Sequence, residues 1–164
     1  MTPLRGFSLM EVLVAIVVIG LGALGAAGLQ LASSKNTRSA LEGTTAVILA
    51  QDMAERLRAN PGGAYVGVGD GSSPPGFVDC LGANCSPAQL EAFDVAAWKC
   101  SLGRWRDDRA CQEARAAGVL PPEERQPGLP MGDGAIAWGA DGAFTVSVTW
   151  HGTGQHRVAV AGRR

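Results

Sequence analysis

An uncharged apolar stretch near the N-terminus constrains this chain more than any other feature. No charged residue occurs from Val12 to Ser34. As an α-helix this run is about 35 Å long, slightly more than the roughly 30 Å hydrocarbon core of a bilayer. Glu11 lies directly before it, and ionisable residues at such costly positions usually have a function. The sequence therefore predicts a membrane helix with a functional carboxylate at its start.

The residues around Glu11 resemble the start of the type IV pilin family. Gly6 and Phe7 are followed by Ser-Leu-Met, then Glu11, then the hydrophobic helix. The resemblance implies that residues 1–6 are a leader, that a prepilin peptidase cleaves after Gly6, and that Phe7 becomes the methylated N-terminus. It also makes Glu11 the fifth mature residue and the assembly contact. The carboxylate of Glu11 could neutralise the α-amine of Phe7 in a neighbouring subunit, because a buried charge is tolerated when it is paired.

Two other interpretations of the N-terminus compete with this resemblance. A secretory signal peptide has a basic start, an apolar stretch and a small-residue cleavage site, for which Ala26-Ala27-Gly28 would serve. However, Glu11 fits poorly at the front of a signal peptide. A plain membrane anchor explains the length of the apolar stretch but neither Gly6-Phe7 nor Glu11.

An amphipathic pattern follows the apolar stretch and predicts that the helix continues. Large apolar residues recur at helical spacing among charged ones: Leu41, Ile48, Leu49, Met53 and Leu57. The sequence Asn60-Pro61-Gly62-Gly63 then ends the helix. We expect one helix from near Phe7 to Asn60, with residues 7–34 in the membrane and residues 35–164 forming a globular domain. This continuity argues against a cleaved signal peptide.

A second helix is predicted after a loop rich in Gly, Ser and Pro over residues 64–85. Ser86 is its expected N-cap, with Pro87 at the first position and Gln89 completing a capping box. One apolar face is expected, formed by Leu90, Phe93, Ala97 and Cys100, and Gly103 is the expected end. Residues 104–117 mix both charge signs, so we expect another short helix there with a solvated charged surface.

The last third of the chain predicts a small antiparallel sheet. Residues 144–150 alternate apolar and polar side chains, as a half-buried strand does. Asp141-Gly142 predicts a hairpin to a strand at Ala135–Trp138, and a turn at 151–154 leads to a strand at Arg157–Ala161. The apolar face of this meander is expected to pack on residues 41–57. The fold class is α+β, and the resemblance implies the type IV pilin fold, a long N-terminal helix packed on a small antiparallel sheet.

Four cysteines, Cys80, Cys85, Cys100 and Cys111, all follow the membrane stretch. In an exported domain an even number of cysteines predicts disulfides. Four cysteines allow three pairings, of which proximity in the chain favours Cys80–Cys85 with Cys100–Cys111. A zinc site is disfavoured, because zinc usually requires closely spaced Cys-x-x-Cys pairs.

Nothing else in the sequence predicts catalysis, a cofactor or a metal site. His151 and His156 are the only histidines, and they flank a turn, where surface histidines are common. The four tryptophans, Trp98, Trp105, Trp138 and Trp150, are expected to fill the core. The formal net charge of −1 carries no general attraction for nucleic acid. A group of arginines (Arg104, Arg106 and Arg109) is largely offset by Asp107 and Asp108.

Within the family the chain looks most like the minor pilins, and this similarity covers most of the chain. It is carried by Ala50–Pro61, Cys80-x4-Cys85, Phe93–Trp98 and Thr145–Trp150, whereas Cys100–Leu129 looks like an insertion. It implies a low-abundance, non-enzymatic subunit that helps to start pilus assembly near the tip and supports adhesion or motility. The implied location is the inner membrane with the domain in the periplasm, then the extracellular pilus.

The resemblance also implies a set of partners. They are the prepilin peptidase, other minor and major pilins, the inner-membrane assembly platform, a tip adhesin, and membrane lipid before assembly. Two alternative functions share the same start: a minor pseudopilin of a type II secretion system, and a pilin that binds DNA for uptake.

Mass spectrometry of the mature N-terminus tests the leader. We expect a chain that begins at methylated Phe7, because Gly6 is the family's cleavage position. A mature chain that begins near Leu29 would instead identify an ordinary signal peptide.

Overall fold

The computed structural model describes Gly6 and residues 8–126, 128–152 and 154–164. These residues fall into two compact units, one that extends to Ala40 and one from Leu41 to Arg164. In the first unit the only regular element among the described residues is the first part of helix α1, which spans Leu9–Ala59. This confirms the prediction of one long helix.

Helix α1 has clear signals at both ends. Ser8 precedes its first turn, where Glu11 lies. Arg56 and Arg58 occupy the last turn, where cations are favoured by the helix dipole. The backbone N–H of Asn60 still bonds to Arg56 O at 3.0 Å, and Pro61 follows, which cannot continue the helix.

The second unit adds two helices and one sheet, which confirms the α+β class. Its elements are α2 (Pro87–Leu102), α3 (Arg109–Ala116), β1 (Asp133–Trp138), β2 (Ala143–His151) and β3 (Gln155–Arg163). The strands form an antiparallel meander in the order β1-β2-β3. The predicted Asp141-Gly142 turn is present, and both residues adopt the left-handed conformation, with φ of 53° and 72°.

The main core lies between α1 and the sheet. From α1 it takes Ala46, Leu49, Ala50, Met53, Ala54 and Leu57, and from the sheet Ile136, Phe144, Val146, Val148 and Trp150. The prediction that Leu41 and Ile48 belong to this face is wrong, because they are 63% and 59% exposed. The buried positions recur every three or four residues, and Ile48 falls between them on another side of the helix. Ala46, Ala50 and Ala54 are buried on this face, where larger apolar residues were expected.

Helix α2 is covered on more than one side, whereas the sequence indicated one apolar face. Val95, Trp98 and Leu102 belong to the main core. Ala97 and Cys100 belong to a second cluster with Cys111, Ala114 and Leu120. Leu90 is only half-buried. Helix α3 and the segment after it form the second layer. The spacing of apolar residues within α2 could not predict this layer, because the layer comes from another part of the chain.

The termini of α2 match their sequence signals. Ser86 and Gln89 form a reciprocal capping box, and Gly103 is the C-cap with φ of 116°. A side chain at Gly103 would lie 2.4 Å from Leu129 O. This position therefore requires glycine for both its conformation and its close approach to the neighbouring backbone.

The corrected face of α1 can be tested by two alanine substitutions in the detergent-solubilised full chain. Met53→Ala removes a fully buried side chain and should lower the free energy of unfolding by about 2–5 kcal/mol. Ile48→Ala removes an exposed one and should change it by about 0.5 kcal/mol or less. Denaturant titration measures both, and equal losses would contradict this placement.

Candidate functional site

The start of α1 holds the residues predicted for processing and assembly. Gly6 is exposed and outside any helix or strand, whereas Phe7 and residues 1–5 lie outside the described residues. The backbone N–H of Glu11 lies 3.2 Å from Ser8 Oγ and 3.1 Å from Ser8 O. Ser8 therefore caps the helix. Sequence reasoning missed this role, although the Ser-x-x-Glu signature of a capping box is present at residues 8–11.

The side chain of Glu11 is exposed in the first turn of α1. A carboxylate there is favoured by the helix dipole. The backbone N–H of Glu11 is held by its hydrogen bond to Ser8. Its side chain is exposed and is not part of this cap. Glu11 is thus presented for contact with a group outside its own helix.

The apolar half of α1 is uncovered within the chain. Thirteen large apolar side chains between Leu9 and Leu31 are 46% to 81% exposed. By length and composition, α1 is the one helix among the described residues that could cross a membrane. Apolar surface of this extent marks a site of interaction with lipid or protein. The beginning of α1 therefore combines an exposed carboxylate with a surface that needs a non-aqueous environment.

Both disulfides join cysteines that are close in the chain. The pairs are Cys80–Cys85 and Cys100–Cys111, with Cα–Cα distances of 5.8 and 5.2 Å. This is the pairing that proximity favours. Cys100–Cys111 is buried and links α2 to α3, whereas Cys80–Cys85 closes a short segment of the loop before α2. The four sulfurs are therefore engaged in covalent bonds.

A buried ion pair attaches the loop of residues 64–85 to α2 and β1. Lys99 and Asp133 are 0% and 1% exposed, and Lys99 Nζ lies 2.7 Å from Asp133 Oδ1. Lys99 Nζ also donates to Gly69 O at 2.7 Å, and the Gly71 N–H donates to Asp133 Oδ2 at 2.7 Å. Sequence reasoning missed this pair, because a lysine within an apolar helix and an aspartate at a strand start give no signal that they meet.

The environment shifts the pKa values of both partners. Burial lowers the pKa of Lys99, and Asp133 only partly opposes this effect. Burial alone would raise the pKa of Asp133, but hydrogen bonds from Lys99 and from the Gly71 and Gly134 amides outweigh it, so the pKa is lowered. The aspartate therefore remains ionised in the folded protein at pH values where an ordinary carboxyl begins to take up a proton.

A second network fixes the end of α1 against α2. Arg56 Nη1 donates to Asp94 Oδ1 at 2.8 Å, and the Tyr65 hydroxyl donates to Asp94 Oδ2 at 2.7 Å. Asn60 Nδ2 donates to the Tyr65 oxygen at 3.1 Å and to Pro87 O at 2.8 Å. Burial and the bond to Asp94 raise the pKa of Tyr65. The phenol therefore stays protonated and acts as a structural donor.

The arginines considered for nucleic acid each have a carboxylate partner. Arg104 pairs with Asp133 at 3.5 Å, Arg106 with Glu123 at 2.9 Å and Arg109 with Glu113 at 2.8 Å. Asp108 is used to cap α3. These three arginines therefore do not form a cationic surface that is free to bind phosphates.

The histidines and tryptophans have structural positions. The His156 ring stacks on Trp150 with centroids 5.2 Å apart, and His151 is exposed. Within the described residues no group of metal-binding side chains is assembled. Trp98 and Trp150 are buried in the main core, whereas Trp105 and Trp138 are half-buried against the two clusters.

Two family models match adjoining parts of the chain. The prokaryotic N-terminal methylation motif matches residues 3–27, which include Gly6, Phe7 and Glu11. The model described as type IV pilin Tt1218 matches residues 28–96, from the apolar half of α1 into α2. No curated protein and no solved structure matches the chain. Together the two models span more than half of the chain and support a type IV pilin.

Acidification tests the Lys99–Asp133 pair. The lowered pKa of Asp133 contributes stability that is fully present above the unfolded carboxyl's pKa, about 4, and is lost as pH falls through the folded pKa. Asp133→Asn should lower the free energy of unfolding at neutral pH by about 3–5 kcal/mol, because it leaves Lys99 buried without its partner charge.

The control for this prediction is Lys99→Met/Asp133→Asn, which removes both charges. Denaturant titrations of the detergent-solubilised chain between pH 2 and pH 7, roughly the range in which carboxyl groups titrate, should show recovery of most of the loss and a weaker dependence on acid. A double variant that is no more stable than Asp133→Asn would contradict the role of the pair.

Proposed function

We propose that this chain, a type IV pilin by its methylation motif and its pilin domain, is a minor pilin of the PilV type that helps to initiate pilus assembly and supports adhesion or motility. Pilins are structural subunits, so the chain is not an enzyme. The observation that carries the proposal is the exposed Glu11 at the start of an uncovered apolar helix. Such a helix is suited to exchange a lipid environment for a packed filament.

Processing is the first step of the proposed function. Gly6 is exposed ahead of α1, and a prepilin peptidase is the enzyme that would cleave after it. Cleavage there makes Phe7 the mature N-terminus, which is then methylated. The new α-amine is a cation located four residues before Glu11.

Assembly then depends on pairing that cation with a carboxylate. In a filament the apolar surfaces of neighbouring helices exclude water, and an unpaired charge there is costly. Glu11 of one subunit satisfies the α-amine of Phe7 in the next. Because breaking a buried pair leaves an uncompensated charge, the contact also specifies the register between subunits.

The location follows from the same features. Residues 7–34 anchor the precursor in the inner membrane, and residues 35–164 form a domain in the periplasm, whose oxidising conditions suit two disulfides. The assembly platform then transfers the subunit from lipid into an extracellular pilus, near the tip, where major pilins, other minor pilins and a tip adhesin are its partners.

The minor subtype rests on the similarity of residues 50–61, 80–85, 93–98 and 145–150 to minor pilins. A minor pseudopilin of a type II secretion system is the alternative, since it has the same start and general fold. A deletion strain separates the two, because it loses pili in one case and secretion in the other. A DNA-uptake role is less favoured, because Arg104, Arg106 and Arg109 are already paired.

Glu11→Ala tests the assembly contact. We expect normal processing and membrane insertion but at least a 10-fold loss of the variant from sheared pili, because one buried charge loses its partner. Immunoblots of membrane and sheared fractions measure this ratio. Glu124→Ala is the matched control, since Glu124 is an exposed carboxylate on the globular domain. Normal incorporation of Glu11→Ala would contradict the pairing.

A further inference from the structure

The outer edge of strand β3 has no strand partner among the residues that the structure describes. Strand β3 pairs with β2 through nine consecutive residue pairs, from Ala143–Arg163 to His151–Gln155, without a bulge. No strand pairs with its other side among the described residues. A long edge of this kind is a template for another extended chain.

The direction of the backbone groups along β3 follows from three hydrogen bonds outside the ladder. The N–H groups of His151 and Ile136 donate to Pro130 O and Val68 O, and that of Arg164 donates to Gly142 O, at 2.8 to 3.0 Å. Backbone groups of successive strand residues point to alternate sides. The even-numbered residues of β3 therefore bond to β2. The outward-facing set is Gln155, Arg157, Ala159, Ala161 and Arg163, and no hydrogen bond joins its backbone groups to other described residues.

The opposite edge of the sheet, formed by β1, is covered by a loop. The loop of residues 64–85 lies along β1, where the Ile136 N–H bonds to Val68 O at 2.8 Å. Proteins usually blunt a free edge with proline, a bulge, charges or a covering loop. Strand β3 contains no proline and no bulge. Of the features that blunt a free edge, it therefore has only charged side chains.

Those charges are all of one sign. Residues 155–164 contain Arg157, Arg163 and Arg164 and no Asp or Glu, in a chain whose formal net charge is −1. Arg157 and Arg163 are exposed and form no ion pair within the described residues. They flank the small side chains of Ala159 and Ala161. The exposed face of β3 therefore carries small side chains in its middle and a cation on either side of them.

We propose that this edge binds an extended acidic segment of another pilus subunit, which adds a fourth strand beside β3. Backbone hydrogen bonds supply affinity, and carboxylates opposite Arg157 and Arg163 set the register. A second copy paired through the same strand supplies no partner for these arginines, since β3 itself contains no Asp or Glu. This inference rests on the proposed pilus function, because that function brings other subunits to the edge.

Site-specific photocrosslinking in piliated cells tests the proposal with the full chain. A photoreactive residue replaces Ala159 in one strain and Ala137 in the control strain; Ala137 is an exposed alanine of β1. We expect Ala159, and not Ala137, to crosslink to another pilus subunit, at a segment that contains Asp or Glu. Crosslinks to a second copy of the chain or to a protein outside the pilus would overturn the proposal.

Charge reversal tests whether carboxylates of the partner segment bind to Arg157 and Arg163. Arg157→Glu/Arg163→Glu should reduce the crosslink from position 159 at least 10-fold. The control Arg109→Glu/Arg125→Glu makes the same charge change at exposed arginines away from the edge and should leave the crosslink in place. Equal yields in both variants would show that charge does not select the partner and would overturn the acidic assignment.

The outcomes separate this proposal from the proposed function. If the chain is present in sheared pili but Ala159 crosslinks no more than Ala137, the edge proposal fails and the pilus function stands. If the chain is absent from sheared pili, the pilus function fails, and crosslinking in the membrane fraction still decides whether the edge binds a subunit.

Discussion

The uncovered apolar surface of the first part of α1 is the constraint on which the rest of this protein depends. Thirteen large apolar side chains between Leu9 and Leu31 remain exposed. In water this apolar surface is unfavourable, so it requires another apolar surface to cover it. Lipid can cover this surface before assembly and neighbouring helices can cover it afterwards. In the proposed assembly, Glu11 at the start of this surface pairs with the α-amine of a neighbouring subunit. The chain is therefore understood as a subunit rather than as an isolated protein.

Buried polar groups and a disulfide join the elements of the second unit in addition to its apolar core. Lys99 and Asp133 hold the loop before α2 against the sheet, and Asp94 connects the end of α1 to α2. Cys100–Cys111 attaches the second layer.

Much of the fold was predictable, because its signals are local. The Ser86 capping box, the Asp141-Gly142 turn and the alternation along β2 each determine structure within a few residues. The errors came where contacts are distant. Ile48 was assigned to the apolar face by its spacing, although Ala46, Ala50 and Ala54 are buried there instead, and the second covered side of α2 was not predicted. Of the candidate site, Gly6, Phe7 and Glu11 were predicted from their order and their roles stay predictions, whereas the capping role of Ser8 was overlooked.

The sequence by itself determined the long helix, the membrane stretch, the processing motif and the strand order, because each depends on the chain's own periodicity or on residues close together in it. Only the tertiary structure decided that Lys99 pairs with Asp133, that the candidate arginines are paired with carboxylates, and that a loop covers the β1 edge while no described strand pairs with the outer edge of β3. Those outcomes depend on which distant segments meet and on the cost of burying charge. That cost is set by neighbours that no local pattern specifies.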